Sequence, residues 1–253
     1  MDSIKELIEV MKTLRSENGC PWDKEQNHIS LKPYLIEEAY EVIDAIDKAN
    51  DEELKEELGD LLLQIIFHAQ IAAEEGRFNI YDVAATIVDK LKRRHPHVFG
   101  DAKVSGTDEV LSNWEIIKKS EGKESVLEGL PASLPALLKA RRIQEKVSRV
   151  GFDWSDAKGA IEKLEEEIGE LKRCIENGKQ VEIEEEIGDI LFSVVNVARL
   201  LKVDAEGALR KTIDKFISRF RYIESEIKKR GDRKIEEYSI EELDEMWEDS
   251  KKL

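Results

Sequence analysis

Cysteine, proline and aromatic side chains are scarce: two cysteines, five prolines and 6% aromatics in 253 residues. Cys20 and Cys174 stand far apart, outside any CxxC or Cys/His ligand spacing, so neither a disulfide framework nor a thiolate zinc site is indicated. No uncharged apolar run approaches the roughly 18 residues of a spanning helix. The opening MDSIKELIEVMKTLRSE carries acids where a secretory leader has bases, so the chain reads as cytoplasmic, without a membrane partner. GxxxxGK[ST], GxGxxG and GxSxG are all missing, which removes Walker-type, Rossmann and hydrolase-elbow chemistry. A di-iron carboxylate bundle needs two helical Glu-x-x-His pairs. Only Glu25–His28 matches, with no second copy. Positive charge is also short, 40 Lys and Arg against 56 Asp and Glu, a net charge of −16. A chain this acidic repels phosphate backbones, which excludes a nucleic-acid polymer as partner but not a small anion reached through a metal.

What the sequence has is helical periodicity. Apolar residues recur at three- and four-residue spacing, predicting an all-α fold with helices near 3–17, 31–49, 52–75, 79–93, 108–120, 134–149, 155–177, 181–202, 204–230 and 239–252. Leu61–Ala73 and Ile190–Leu201 are apolar nearly all round, which predicts central bundle helices. The linker is expected at about 121–135, giving helical domains over 1–124 and 125–253.

The two domains read as tandem copies of one antiparallel helical bundle unit. LKEELGDLLLQ (54–64) lies over IEEEIGDILFS (183–193) at an offset of 129, and upstream IEEAYE (36–41) lies over LEEEIGE (164–170) at the same offset. Carboxylates therefore recur with spacings of 3, 16 and 3: Glu38, Glu41, Glu57, Asp60 and Glu167, Glu170, Glu186, Asp189. Three-residue spacing puts each pair on one helix face, and sixteen residues suffice to turn and return, so the pairs face each other across a hairpin. Four converging carboxylates repel and pay desolvation unless a cation neutralises them, and an oxygen-only set suits Mg²⁺, with Mn²⁺ as substitute. The competing reading, an exposed acidic helix start, loses force because the whole pattern is duplicated beside apolar helices.

Lys90 and Arg94, matched by Lys215 and Arg219, share helix faces and suit the clamping of phosphate oxygens. Trp114 and Trp247 sit in late amphipathic helices, where stacking on a nucleobase and ordinary core packing are both open. His68 shares a stripe with Glu57, Asp60 and Gln64 and reads as a hydrogen-bonded core residue.

NGCPWDKEQNHISL (18–31), EEAYE (37–41), EELGD (56–60), KRRHPHVFG (92–100), GFDW (151–154), EEEIGE (165–170), EEEIGD (184–189) and KFISRF (215–220) together resemble the MazG family of tandem-domain nucleoside triphosphate pyrophosphohydrolases, over essentially the whole chain. The resemblance implies a Mg²⁺-dependent, homodimeric all-α enzyme that cleaves nucleoside triphosphates between the α and β phosphates. It assigns metal binding to the eight carboxylates. It assigns nucleotide contact to Lys215, Arg219 and Trp247, with Lys90, Arg94 and Trp114 as counterparts. Of the carboxylates, Glu38 or Glu41 and Glu167 or Glu170 are the candidates to take a proton from the attacking water. The HisProHis tract at 95–97 has no second copy, so the halves differ, although both keep every ligand. The alternative, from another class, is a helical module that senses nucleotides without turning them over.

Overall fold

Short polar side chains open most of the long helices. The computed structural model describes residues 3–106, 109–110, 113–114, 117, 125–231 and 233–252. Among them every regular element is a helix: α1 (Ser3–Leu14), α2 (Pro21–Glu25), α3 (Lys32–Asp47), α4 (Asp51–Glu74), α5 (Ile80–Arg94), α6 (Pro96–Phe99), α7 (Ala136–Ser148), α8 (Ala157–Asn177), α9 (Gln180–Leu200), α10 (Ala205–Arg230), a 3₁₀ turn (Ile235–Glu237) and α11 (Ile240–Ser250). Asn50, Asn79, Asp156, Asp204 and Ser239 accept first-turn N–H groups of α4, α5, α8, α10 and α11. Each cap satisfies donors that a helix start leaves open. α8 ends on Gly178, at φ 65°, where a residue without Cβ enters the left-handed region freely.

The expected helices match these within a few residues, except 108–120, most of which lies outside the described residues. The one-turn helices α2 and α6 were not expected; each begins on a proline, whose fixed φ suits a first turn but supplies no periodic signal. None of the described helices is long and apolar enough to cross a membrane.

The chain forms two compact units that divide between Val104 and Ser105. In the first, α4 packs on α3, α1 and α5. Its core joins Ile8 and Met11 of α1 to Leu31 and to Ile66, Phe67 and Ile71 of α4. Each such side chain contributes on the order of 1.5–3 kcal/mol of apolar burial. In the second, α8 and α9 form a hairpin with α7 against α9, and α10 packs on α11 through Ile223, Ile227, Tyr238 and Met246.

The helices expected to be central are covered unequally. α4 buries Ile66, Phe67, Ala69, Ile71 and Ala72, whereas of the apolar residues of α9 only Val195 is fully buried. Ile187, Leu191, Phe192 and Val194 of α9 stay exposed, as do Ile36, Ile43 and Ile46 of α3. Packing within one chain therefore covers one side of α9, not the whole circumference that its sequence predicts.

Candidate functional site

In the first unit Glu38 and Glu41 come from α3 and Glu57 from the start of α4, and each offers an oxygen within 4.8 Å of the others. Their convergence follows from the short α3–α4 turn, in which Ala49 takes a left-handed φ of 52° and Asn50 caps the returning helix. Asp60 lies outside that closest trio, but burial and then its charge raise the pKa of Glu38, and burial followed by the charges of Glu41 and Asp60 raises that of Glu57. Gln64, one turn further along α4, donates from Nε2 to Glu38 Oε1 at 3.4 Å.

The second unit repeats the arrangement across the α8–α9 hairpin. Buried Glu167 from α8 meets Glu186 and Asp189 from α9, again with oxygens within 4.8 Å. Glu186 has its pKa raised by burial and by the charges of Glu170, Glu167 and Asp189. Glu170 faces this group but spends Oε1 on Arg173, at 2.8 Å. Lys163 Nζ sits 2.7 Å from Glu167 Oε1 and 3.0 Å from Glu166 Oε1, and these carboxylates raise the pKa of the lysine.

A divalent cation fits both clusters on chemistry visible in the side chains. Mutual repulsion already favours protonation, and Glu186 Oε2 is buried without a hydrogen-bond partner. A hard cation relieves both penalties, and all the donors are oxygen.

A cavity of about 690 Å³ opens beside the second cluster and has Lys163, Glu167 and Asp189 in its lining. Phe152 and Trp154 contribute aromatic faces. Trp154 crosses the first turn of α8 so closely that a Cβ on Gly159 would come within 2.7 Å of its ring. This cavity was not anticipated as a site. The GFDW motif at 151–154 marks its rim, but sequence spacing carries no sign that the loop folds back over α8.

The basic and aromatic candidates are placed unequally. Arg219 lies over the Trp247 indole, 5.4 Å from the ring centroid, and Phe216 packs on the same ring at 5.0 Å. Trp247 also packs on the Ile223–Met246 core, so it combines the two roles left open by the sequence: its body is structural and one face meets a cation. Lys215 is exposed one turn earlier on α10. Lys90 is exposed on α5 and lines a separate cleft of about 500 Å³ with Phe78, Asp82, Val83, Thr86 and Ile87, none of them a carboxylate of the cluster. Arg94 is half-buried at the end of α5, and half-buried Trp114 falls beyond Val104, outside the first unit.

His68 belongs to a polar chain of its own. Its Nδ1 is 2.8 Å from His28 Nδ1, and Arg77 Nη2 lies 2.6 Å from His28 Nε2. Because arginine only donates, His28 Nε2 accepts, His28 Nδ1–H donates to His68, and His68 keeps its proton on Nε2. Burial and His28 lower the His68 pKa.

Fold and site together define an all-helical protein that carries, twice, an acidic, oxygen-only cluster able to hold a cation across a helical hairpin. The family model described as the MazG nucleotide pyrophosphohydrolase domain matches residues 26–99 and 156–223, one match per cluster, and the chain belongs to that family. It is 53% identical over 250 residues to the nucleoside triphosphate pyrophosphohydrolase/pyrophosphatase MazG of Thermotoga maritima, covering 98% of this chain and 95% of that protein. It is 45% identical over 259 residues to the nucleoside triphosphate pyrophosphohydrolase of Escherichia coli K12, covering 100% of this chain and 98% of the relative. An uncharacterized Bacillus subtilis protein, YabN, is 47% identical over 246 residues, 96% of this chain and 50% of its own length.

Proposed function

We infer that the chain is a nucleoside triphosphate pyrophosphohydrolase, cleaving ribo- or deoxyribonucleoside triphosphates between the α and β phosphates to a monophosphate and pyrophosphate. One observation carries the reading: the Glu167, Glu186 and Asp189 cluster borders a cavity large enough for a nucleoside, in a chain that matches a nucleotide pyrophosphohydrolase family twice.

Glu167, Glu170, Glu186 and Asp189 would hold Mg²⁺, or Mn²⁺ in its place, and Glu38, Glu41, Glu57 and Asp60 are the counterparts in the first unit. Bound there, the cation supplies Lewis acidity toward phosphate oxygens and an acidified water. Glu170 can receive the proton of the attacking water once Arg173 releases its Oε1. In the first unit Glu41, the exposed member of its trio, has the same access. Lys215 and Arg219 approach the outer phosphates, and Arg219 is kept in place by its seat on Trp247. Lys90, Arg94 and Trp114 are the counterparts by sequence, but Lys90 lines a cleft apart from the carboxylates and Trp114 lies beyond Val104, which favours assigning most turnover to the second unit.

The exposed apolar side chains of α3 and, separately, of α9 support a homodimer, since large exposed apolar patches mark interaction surfaces. The net charge of −16 supports small nucleotides rather than nucleic-acid polymers as partners. Nucleoside triphosphates are cytoplasmic metabolites, which supports a cytoplasmic location. Pyrophosphate release from a panel of nucleoside triphosphates, with Mg²⁺ and with EDTA, tests the reading. Mg²⁺-dependent release is expected, and tight nucleotide binding with no release would favour a sensor.

A further inference from the structure

We propose that Asp153 and Arg199 form a latch that holds the 149–156 loop as one wall of the cavity beside the second cluster, which makes both of them positioning residues for nucleotide binding. The proposal rests on the phosphohydrolase reading, because the carboxylates in the lining are what bring a nucleotide to this cavity.

The loop joins α7 to α8. Gly151, at φ 88°, turns the chain off the end of α7, with Gly151 N–H donating to Ser148 O at 3.0 Å and Phe152 N–H to Val147 O at 3.1 Å. At the far end Asp156 caps α8. Between these fixed ends apolar burial holds little: Phe152 is 79% exposed and Trp154 47%, although one face of the indole lies on Gly159. A segment with so few buried contacts opens readily unless something ties it down.

Arg199 is the tie. It stands near the end of α9, with Nη1 3.0 Å from Asp153 Oδ2 and Nη2 on Oδ1, so the guanidinium grips the carboxylate with two prongs. The Arg199 side chain is 12% exposed, which spares the pair much of the screening that weakens surface ion pairs. Asn196 Oδ1 accepts from Nε at 3.0 Å and from Nη2 at 2.8 Å, and this fixes the plane of the guanidinium. Asp153, Trp154 and Arg199 line the same cavity as Lys163, Glu167 and Asp189.

The first unit ties its matching loop with the charges reversed. Arg15, just after α1, donates from Nε to Glu74 Oε1 at 3.0 Å and from Nη2 to Oε2 at 2.8 Å, at the end of α4. Its Nη1 meets the carbonyls of Asp23 and Gln26, beside Trp22, the repeat partner of Trp154. The residues themselves do not correspond: Asp153 falls on Pro21 at the tryptophan offset of 132, and Arg199 on Gln70 at 129. Each unit therefore joins the same two elements by different side chains, as a requirement for the tie itself would produce.

A wall held in place before the nucleotide arrives spares binding the entropy of ordering the loop. The carboxylates stand on the α8–α9 hairpin and keep their places without the latch. Loss of the latch should therefore raise KM and leave kcat nearly alone. An ion pair that served stability only would lower the melting temperature and the active fraction, reducing apparent kcat at unchanged KM.

The test uses the full chain with Mg²⁺ and ATP, and the variants Asp153→Asn, Arg199→Met and the two combined. Each single variant is expected to raise KM about tenfold with kcat within about twofold, and the double variant to stay near tenfold rather than about a hundredfold, because both residues act through one bond. Should Arg199→Met fail to fold, Arg199→Lys, which keeps the charge but only one prong, should raise KM about threefold. Hydrogen exchange supplies a readout apart from activity: the amides of Gly151 and Phe152 should exchange faster in the variants while those of the α8–α9 hairpin do not change. Unchanged KM with a lower melting temperature, multiplicative effects in the double variant, or unaltered exchange in the loop would each overturn the proposal. Absence of pyrophosphate release from wild type would overturn the phosphohydrolase reading instead, and loop exchange would then judge the latch alone.

Discussion

Lys163 holds its ammonium 2.7 Å from Glu167 Oε1, so one carboxylate of the second cluster already has a cation of the protein's own. The lysine competes with any metal for that oxygen. Lys163→Met should therefore tighten Mg²⁺ binding to the nucleotide-free protein, by several-fold given that Lys163 is half-buried. Isothermal titration of wild type and variant measures it, and unchanged or weaker affinity would show that the lysine does not oppose the metal.

Glu186→Gln removes one negative charge at nearly constant volume from the side chain whose Oε2 has no partner. Apo stability should hold or rise slightly as repulsion falls, while Mg²⁺-dependent stabilisation shrinks. For wild type, a ligand at about 100 times its Kd adds roughly 2.7 kcal/mol. Turnover should drop by orders of magnitude, since a ligand's share of transition-state charge stabilisation is lost. Thermal melts with and without Mg²⁺, alongside rates, separate this from an acidic surface without metal, in which neither Mg²⁺ response nor rate would change.

Arg219→Ala with Lys215→Ala should weaken triphosphate binding by about 10²- to 10⁴-fold and monophosphate binding much less, because charge-assisted contacts to outer phosphates are worth about 1.5–3 kcal/mol each. Arg94→Ala with Lys90→Ala should have the smaller effect, as Lys90 lines a cleft free of the carboxylates. Nucleotide titrations of both pairs decide it. Equal losses for mono- and triphosphate would make these residues a general field rather than a phosphate clamp.

Glu74 gives a pH dependence apart from the site. Its pKa is lowered from the ordinary 4.5 chiefly by the Arg15 guanidinium, which lies 2.8 Å away. A carboxylate with a depressed folded pKa contributes stability that is present above 4.5 and lost as pH falls through the folded value. Glu74→Gln should thus lower the urea midpoint at pH 7, modestly because Glu74 is partly exposed, and the gap from wild type should close as pH falls below 4.5 and through the lowered folded value. A gap that persists at low pH would assign the loss to packing instead.

Helix periodicity and the doubled 3, 16, 3 spacing were enough to read the all-α fold and the repeat from the sequence, and the six carboxylates that converge in the structure are among the eight that the spacing singled out. That legibility has a physical basis: one short hairpin turn converts a linear spacing into a shared face. Glu170 and Asp60 stand outside the closest trios because side-chain direction, which spacing does not encode, sends Glu170 toward Arg173. The cavity was not legible, because Gln144, Trp154 and Asn196 come together from α7, a loop and α9 by tertiary packing. The half-covered surface of α9 was hidden for the same reason: an apolar residue carries no mark of which partner covers it.

Cleavage between the α and β phosphates, at a cation held by Glu167, Glu170, Glu186 and Asp189, is what the proposed chemistry requires. Phosphorus NMR of a deoxynucleoside triphosphate turned over by the full chain with Mg²⁺ tests it most directly. The expected products are the monophosphate and pyrophosphate, formed in equal amounts, with Glu186→Gln silent. Diphosphate and orthophosphate as products, or undiminished turnover by Glu186→Gln, would contradict it.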